Sequence, residues 1–359
     1  MKVLHAIFTM ETGGAETMLV DIINQQCKTS RVILLIVNNR VNEKLIESID
    51  KNVKIYRLKR TKSNKWQLLS SYFKISSILK TEKPDVIHCH NNKLFLFFYL
   101  RKQKTCLTVH GNNLSMMFVR HFEHLFSVSE TVRKDIMNRT GKNSEVIYNG
   151  IETETYLERN DYEINLETKG EFKIIQISRI VLRSKAQHIA IEALQLLVKK
   201  YPERNIKIYF VGDGEDLPVL KDLVTKCGMS RHVSFLGQKD RTWIQNHLKD
   251  YHLLIQPSLY EGFGLTIIEG FAAGLPVIAS NVDGPKEILN CLNAGLSTEV
   301  GNVEDLAQKI NLVYENYISG NIPNTNYVLD NKTKLKIFDI QTTVNNYITA
   351  YKLIINNKT

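Results

Sequence analysis

Twice along this chain of 359 residues, short apolar runs rich in β-branched residues alternate with stretches of helical period. In the first series Val3 to Phe8, Arg31 to Val37, Val53 to Leu58, Asp85 to His90, Thr105 to His110, Leu125 to Ser129 and Ser144 to Tyr148 read as strands. Glu16 to Gln26, Trp66 to Lys80 and Lys93 to Arg101 read as helices. The pattern then restarts. Strands are expected at Phe172 to Ser178, Ile206 to Val211, Val233 to Leu236, Leu253 to Gln256 and Pro276 to Ser280. Helices are expected at Ala186 to Lys200, Leu217 to Cys227, Thr266 to Ala273 and Val303 to Tyr317. Such alternation points to parallel sheets with helices on both faces, because successive parallel strands need a crossover. The fold class is α/β, with two doubly wound domains of similar size. The polar interval 152–171 reads as the linker. Phe338 to Ile355 has apolar residues at 340, 344, 347, 348, 351, 354 and 355, a helix with one apolar face. Such a face docks on a core by default; a membrane-surface helix is the alternative.

Apolar residues make up 43% and charged residues 23%, which excludes a disordered or fibrous chain. The longest apolar run, Leu94 to Leu100, ends in Arg101-Lys102 and is far short of the ~20 residues that cross a bilayer. The first residues read as a buried strand rather than a signal peptide. Five cysteines without a CxxC pair suggest reduced thiols in the cytosol. The charge is unevenly divided. Residues 1–150 hold 24 Lys and Arg against 12 Asp and Glu, whereas 151–359 hold 23 against 25. Much of the excess clusters at Lys59 to Lys65, Lys74, Lys80, Lys83 and Arg101 to Lys104, beside Trp66. An anionic partner on the first half, or a merely solvated surface, would account for it.

Gly13-Gly14-Ala15-Glu16 lies between the first strand and the first helix. Glycine there lets the backbone approach a phosphate, and a helix start offers free N–H groups; a plain tight turn is the alternative. The motif is not GxGxxG, and the second strand ends Val37-Asn38-Asn39-Arg40 rather than at an acid, so a nicotinamide dinucleotide is excluded. Arg179 and Lys185 follow the first strand of the second series, where an α/β site would hold a diphosphate. The strongest signal is Pro257 to Glu269: a buried strand, a loop Glu261-Gly262-Phe263-Gly264-Leu265, then a helix carrying Glu269. Carboxylates so spaced can hold two polyols, a hexose and a ribose, while the amides of Phe263, Gly264 and Leu265 face a phosphate or sugar. His88 and His90 alternate on a strand and so point together. No third ligand lies near them in sequence, which leaves His90 as a candidate lining of a cleft rather than a metal ligand.

Taken together, these strings resemble the retaining glycosyltransferases of GT-B fold usually called family 4. The resemblance rests on Gly13-Gly14, Val109-His110-Gly111, Tyr148-Asn149-Gly150-Ile151, Arg179 with Lys185, and Glu261 with Glu269. Ala272 to Ala279 and Asp283 to Glu287 also match. Ser178, where the family usually has Gly, is a departure. The resemblance implies two Rossmann-like domains facing a central cleft: an acceptor-side domain over 1–160, a donor domain over 161–337, and a helix, 338–359, crossing back to the first. It implies that Arg179 and Lys185 neutralise the diphosphate, Gly14 approaches it, and Glu269 holds the ribose. Glu261 and the loop amides would hold the transferred sugar, His110 would contact that sugar near its 6-position, and Phe235-Leu236-Gly237 would border the base.

The expected reaction is transfer of a hexose or N-acetylhexosamine from a nucleotide-sugar, UDP-linked first and GDP-mannose second. The expected acceptor is a saccharide, lipid-linked, in cell-surface polysaccharide synthesis at the inner membrane face. No Asp-x-Asp occurs, so no metal and no cofactor are expected. An anionic membrane surface is the expected partner of the basic half; nucleic acid is not, since no recognition motif is present. A phosphorylase, an epimerase or a non-catalytic sugar-nucleotide binder are the alternatives.

Overall fold

A computed structural model describes all residues except 12, 62–64, 100–102, 113, 160, 163–169, 331 and 357–359, and the side chain of Lys65. Part of the basic run at 59–66, the end of the helix expected at Lys93 to Arg101 and much of the expected linker therefore lie outside the described residues. The chain divides into two compact units. The first takes 1–151 and 337–359, the second 152–336.

The first unit holds a seven-stranded sheet of β1 (Lys2–Ile7), β2 (Arg31–Asn38), β3 (Lys54–Arg60), β4 (Val86–Cys89), β5 (Lys104–Val109), β6 (His124–Ser127) and β7 (Glu145–Val146). Every pairing is parallel, in the order β3-β2-β1-β4-β5-β6-β7. Its helices are α1 (Gly14–Gln26), α2 (Glu43–Glu47), α3 (Lys65–Glu82), α4 (Phe95–Phe98) and α5 (Glu130–Thr140). Central strands buried on both faces read as unbroken apolar runs, as in β2, buried from Val32 to Asn38. The helix expected over Lys93 to Arg101 is only a 3-10 turn at Asn92–Leu94 followed by α4. The last strand is two residues rather than the five expected.

The second unit holds β8 (Phe172–Ile177), β9 (Ile206–Val211), β10 (Val233–Gly237), β11 (Leu253–Gln256), β12 (Val277–Ser280) and β13 (Leu296–Thr298), in the order β10-β9-β8-β11-β12-β13. Its helices are α6 (Leu182–Lys185), α7 (Gln187–Lys200), α8 (Leu217–Lys226), α9 (Arg241–His247), α10 (Leu265–Ala272), α11 (Asp283–Leu292) and α12 (Val303–Ile318). One core joins Phe172 and Phe210 of the sheet to Leu194 of α7 and Ile310 of α12. The second unit begins at residue 152 rather than 161 because the start of the expected linker is packed, not loose. Tyr156 is buried, the Arg159 amide donates to the Ala273 carbonyl at 2.9 Å, and the Tyr162 hydroxyl donates to the Gly274 carbonyl at 2.8 Å.

The last helix, α13 (Ile340–Asn356), completes the first unit and packs against α1. Its Tyr347 and Tyr351 are fully buried and meet Phe126 edge-on. The apolar stripe thus docks on a core. No helix among the described residues is long and apolar enough to cross a membrane. Within the first unit, a bridge of Ile151 to Asp339 ties its last segment to the end of its first. A Cβ on Gly150 would lie 2.6 Å from the Asp339 carbonyl carbon and oxygen. Gly150→Ala must push backbone aside, and we expect it to cost about 1–3 kcal/mol, read as a lowered urea midpoint with unchanged slope.

Candidate functional site

In each sheet the strand order reverses once, between β1 and β4 in the first unit and between β8 and β11 in the second. Crossovers leave such neighbours in opposite directions, so a crevice opens at their carboxyl ends. Gly14, His90, Arg179, Lys185 and Glu261 lie at these two points, whereas His110 follows β5, one strand away, and Leu236 and Gly237 end β10, two strands from β8.

In the second unit, Ser178 and Arg179 leave β8 and Lys185 ends α6. Gly212 and Gly214 make this turn possible. A Cβ on either would lie 2.0 Å from the Ser178 carbonyl oxygen or 2.2 Å from that of Ile180, so only glycine lets the loop lie so close. Buried Gln187 locks the turn, donating to the Ser178 hydroxyl at 2.9 Å and the Arg179 carbonyl at 3.0 Å. Across the reversal, the amides of Leu259 and Tyr260 donate to the Ser184 carbonyl at 2.8 and 3.3 Å. That strap draws the loop after β11 onto α6 and brings Glu261 into an ion pair with Lys185. Gln256 also donates to the Glu261 carboxylate at 3.2 Å.

The loop then turns into α10 through Gly264, whose φ of +105° is a conformation that favours glycine. Phe263 is buried against α11, where a Cβ on Gly284 would lie 2.3 Å from the Phe263 Cα. Leu265 is the first residue of α10, and Glu269 lies one turn in, accepting from the Tyr156 hydroxyl at 3.0 Å. Leu236 and Gly237 end β10, and the Gly237 carbonyl accepts from the Gly212 amide at 2.9 Å. Arg179, Lys185, Glu261 and the start of α10 thus surround the β8–β11 reversal, a cation-rich edge with carboxylates beside it.

In the first unit, Gly14 opens α1 just after β1, and a Cβ there would meet nothing within 4 Å. The fold by itself does not demand glycine at that position. His90 and His110 follow β4 and β5 and line one pocket with Asn91, Asn92 and Met116.

Residues 12–155 match the family described as Glycosyltransferase Family 4, and residues 158–327 match Glycosyl transferases group 1. The chain is built from glycosyltransferase domains of these two types. An uncharacterized glycosyltransferase of Methanocaldococcus jannaschii is 27% identical over 68% of this chain and 69% of its own length. The N-acetyl-alpha-D-glucosaminyl L-malate synthase of Bacillus anthracis is 25% identical over 69% and 70%. Among solved structures, Anabaena HepE in complex with UDP and glucose matches with a TM-score of 0.80 at 20% identity, over 98% of this chain and 100% of that one. The fold is GT-B, two Rossmann-like domains with parallel sheets.

The structure of these glycosyltransferase domains adds residues that motif reading missed. Tyr156 and Tyr162 were the aromatic signal inside an interval read as linker. Gln187 looks like any helix-start residue. In the first unit, His5 on β1 supplies the third histidine that proximity in sequence did not offer: His5, His88 and His90 bring ring nitrogens within 4.8 Å of one another. That spacing suits a metal, but every one of these six nitrogens already has a protein partner. His88 bonds Tyr351 at 2.6 Å and Thr108 at 2.7 Å; His5 bonds Gln26 at 2.7 Å and His90 at 3.1 Å; His90 also bonds His110 at 3.2 Å. His121 is exposed and stacks on Phe95, and Met117 is also exposed.

Burial lowers the pKa of His5 and of His110 to about 4, and of His88 and His90 well below the usual histidine value. These rings are neutral in the fold and bind protons in the unfolded chain near pH 6.5. Their stabilising effect is present above pH 6.5 and is lost as pH falls from there toward 4. We expect the urea midpoint to drop between pH 7 and 5, where ordinary carboxylates stay ionised, and His5→Gln to flatten part of that slope.

Proposed function

We propose that this protein is a metal-independent, retaining glycosyltransferase that moves a hexose or N-acetylhexosamine from a UDP-sugar to a lipid-linked saccharide. GDP-mannose is the second donor class. The observation that carries the reading is the pairing of Lys185 with Glu261 at the β8–β11 reversal, with Arg179 on the same edge. The UDP and glucose of the Anabaena protein support the donor class, and the malate synthase of Bacillus anthracis supports an N-acetylhexosamine.

In this reading Arg179 and Lys185 take the diphosphate, and Glu269, steadied by Tyr156, takes the ribose hydroxyls. Leu236 and Gly237 border the base. Glu261 and the amides of Phe263, Gly264 and Leu265 hold the transferred sugar. Gly14 offers an unobstructed helix start to the phosphates, and His110 meets the sugar near its 6-position. As the sugar–phosphate bond breaks, the electron pair leaves with the diphosphate and positive charge grows on the sugar. Fixed cations on the leaving side stabilise that separation without reorganising. The acceptor hydroxyl gives its proton to the departing phosphate oxygen as the new glycosidic bond forms on the same face. With two side-chain cations in place and no Asp-x-Asp in the sequence, the leaving group needs no metal.

A thermal-shift and donor-hydrolysis screen across UDP-sugars and GDP-mannose tests the donor; stabilisation by none of them defeats the reading. Lys185→Ala and Arg179→Ala are each expected to lower kcat/KM about 10²–10³-fold, whereas EDTA should leave turnover unchanged.

For the acceptor side, α3 turns Ser71, Ile75 and Leu79 inward and leaves Trp66 (81% exposed), Leu69 and Phe73 (63% exposed) on its outer side, with exposed Lys74 and Lys80 after them along the helix. An apolar stripe followed by cations fits an anionic bilayer surface, the place to meet a lipid-linked acceptor. Binding to phosphatidylglycerol vesicles at low salt should fall at least tenfold in Trp66→Ser/Phe73→Ser. Equal binding by wild type and variant removes the membrane part and leaves the transferase part standing.

A further inference from the structure

Three imidazoles and one amide form an unbroken chain through the first unit. Gln26, the last residue of α1, presents its Oε1 to His5 Nε2 at 2.7 Å. His5 Nδ1 lies 3.1 Å from His90 Nε2, and His90 Nδ1 lies 3.2 Å from His110 Nε2. His5 and Gln26 are fully buried and His90 is 5% exposed. The rings of His90 are stacked against those of both neighbours, with centroids 5.4 Å apart in each pair.

A neutral imidazole has one N–H and one lone pair. A carbonyl oxygen only accepts, so His5 donates to Gln26 through Nε2–H. Its Nδ1 is then a lone pair, and His90 must donate to it through Nε2–H. The same step repeats at His110. One tautomer choice at Gln26 therefore fixes all three rings, and the last ring ends with a bare Nδ1. That nitrogen is buried and has no hydrogen-bond partner among the described residues. A second proton on His5 or His90 would set two donors face to face at one link, so the chain holds those two rings neutral.

We propose that His90 and His5 are positioning residues: through this one-way chain they hold His110 as the neutral Nε2–H tautomer, with Nδ1 kept as an acceptor for a hydroxyl of the sugar. The inference rests on the reading that His110 meets the transferred sugar. It adds which nitrogen of that histidine carries the proton and which is left to accept. Positive charge builds on the sugar as its bond to phosphate breaks, and an imidazolium beside it would repel that charge, whereas a neutral ring that accepts from a hydroxyl does not. Burial, which lowers the pKa of His110 to about 4, keeps this ring neutral. The unpartnered Nδ1 is then a group whose partner arrives with the substrate.

Side-chain 15N–1H correlation spectra of the full chain, labelled at histidine, read the tautomers directly and need no donor. The expected result is Nε2–H with bare Nδ1 at His5, His90 and His110. In His90→Phe, which keeps a ring but no polar atoms, His110 should lose its single tautomer. His90→Gln should restore it, since the Gln carbonyl accepts from His110 and its amide donates to His5. Gln26→Met, outside the pocket, should loosen the same tautomer and serves if His90→Phe does not fold. An Nδ1–H tautomer at His110 in the wild type, or a tautomer indifferent to both variants, overturns the proposal.

With UDP-glucose and UDP-N-acetylglucosamine as probe donors, His90→Phe should lower kcat about 10–100-fold with donor KM little changed. His90→Gln should recover most of that loss. A kcat within twofold of wild type in a folded His90→Phe also overturns the proposal. If the spectra come out as expected and neither donor is consumed, the histidine chain stands as structure and the proposed function is what fails.

Discussion

A parallel sheet wound in two directions cannot avoid one gap. Where two adjacent strands send their crossovers to opposite faces, no helix covers the carboxyl edge between them, and the backbone there has open space in front of it. Both sheets of this chain have one such edge, and the other features of the site follow from it. Gly14 and His90 follow the two strands that flank it in the first unit; Arg179 and Glu261 follow those that flank it in the second. Local devices then refine what topology provides. Gly212 and Gly214 let one loop lie flat, Gly284 admits Phe263, and the Ser184 carbonyl ties the β11 loop to α6 so that Lys185 and Glu261 meet.

The strands were legible because a strand buried on both faces must be apolar throughout. The positions of β2, β9 and β11 could be read almost to the residue. Elements with little apolar content were not. The helices α9 and α5 carry mostly polar side chains, and α5 is set instead by its ends: the Ser129 hydroxyl caps its first turn, and Gly141 at φ +70° stops it. The interval after Ile151 misled because its composition is polar while its few aromatics, Tyr156 and Tyr162, do the packing.

The candidate site was legible where its residues sit close together in the sequence, as from Glu261 to Glu269. It was hidden where contacts join distant segments. His5 reads as one more residue of a buried strand, yet β1 pairs with β4 in a register that sets His5 opposite His88. Nothing in the spacing of His88 and His90 points 83 residues back along the chain. Tyr347 and Tyr351, identified from the sequence only as members of an apolar stripe, reach the same cluster through Thr108 and His88. Polar atoms buried this deeply mostly find a partner, and here the partners come from five separate segments, β1, α1, β4, β5 and α13.

The first unit is discontinuous: its sheet ends at β7, but Phe338, Tyr347 and Tyr351 of its core come only after the whole of the second unit. On a ribosome the second unit can therefore finish folding while the first still waits for its final helix. During that interval the side of the first sheet that α13 will cover stays open to water or to a chaperone. The order of synthesis thus makes the second unit the earlier module to mature.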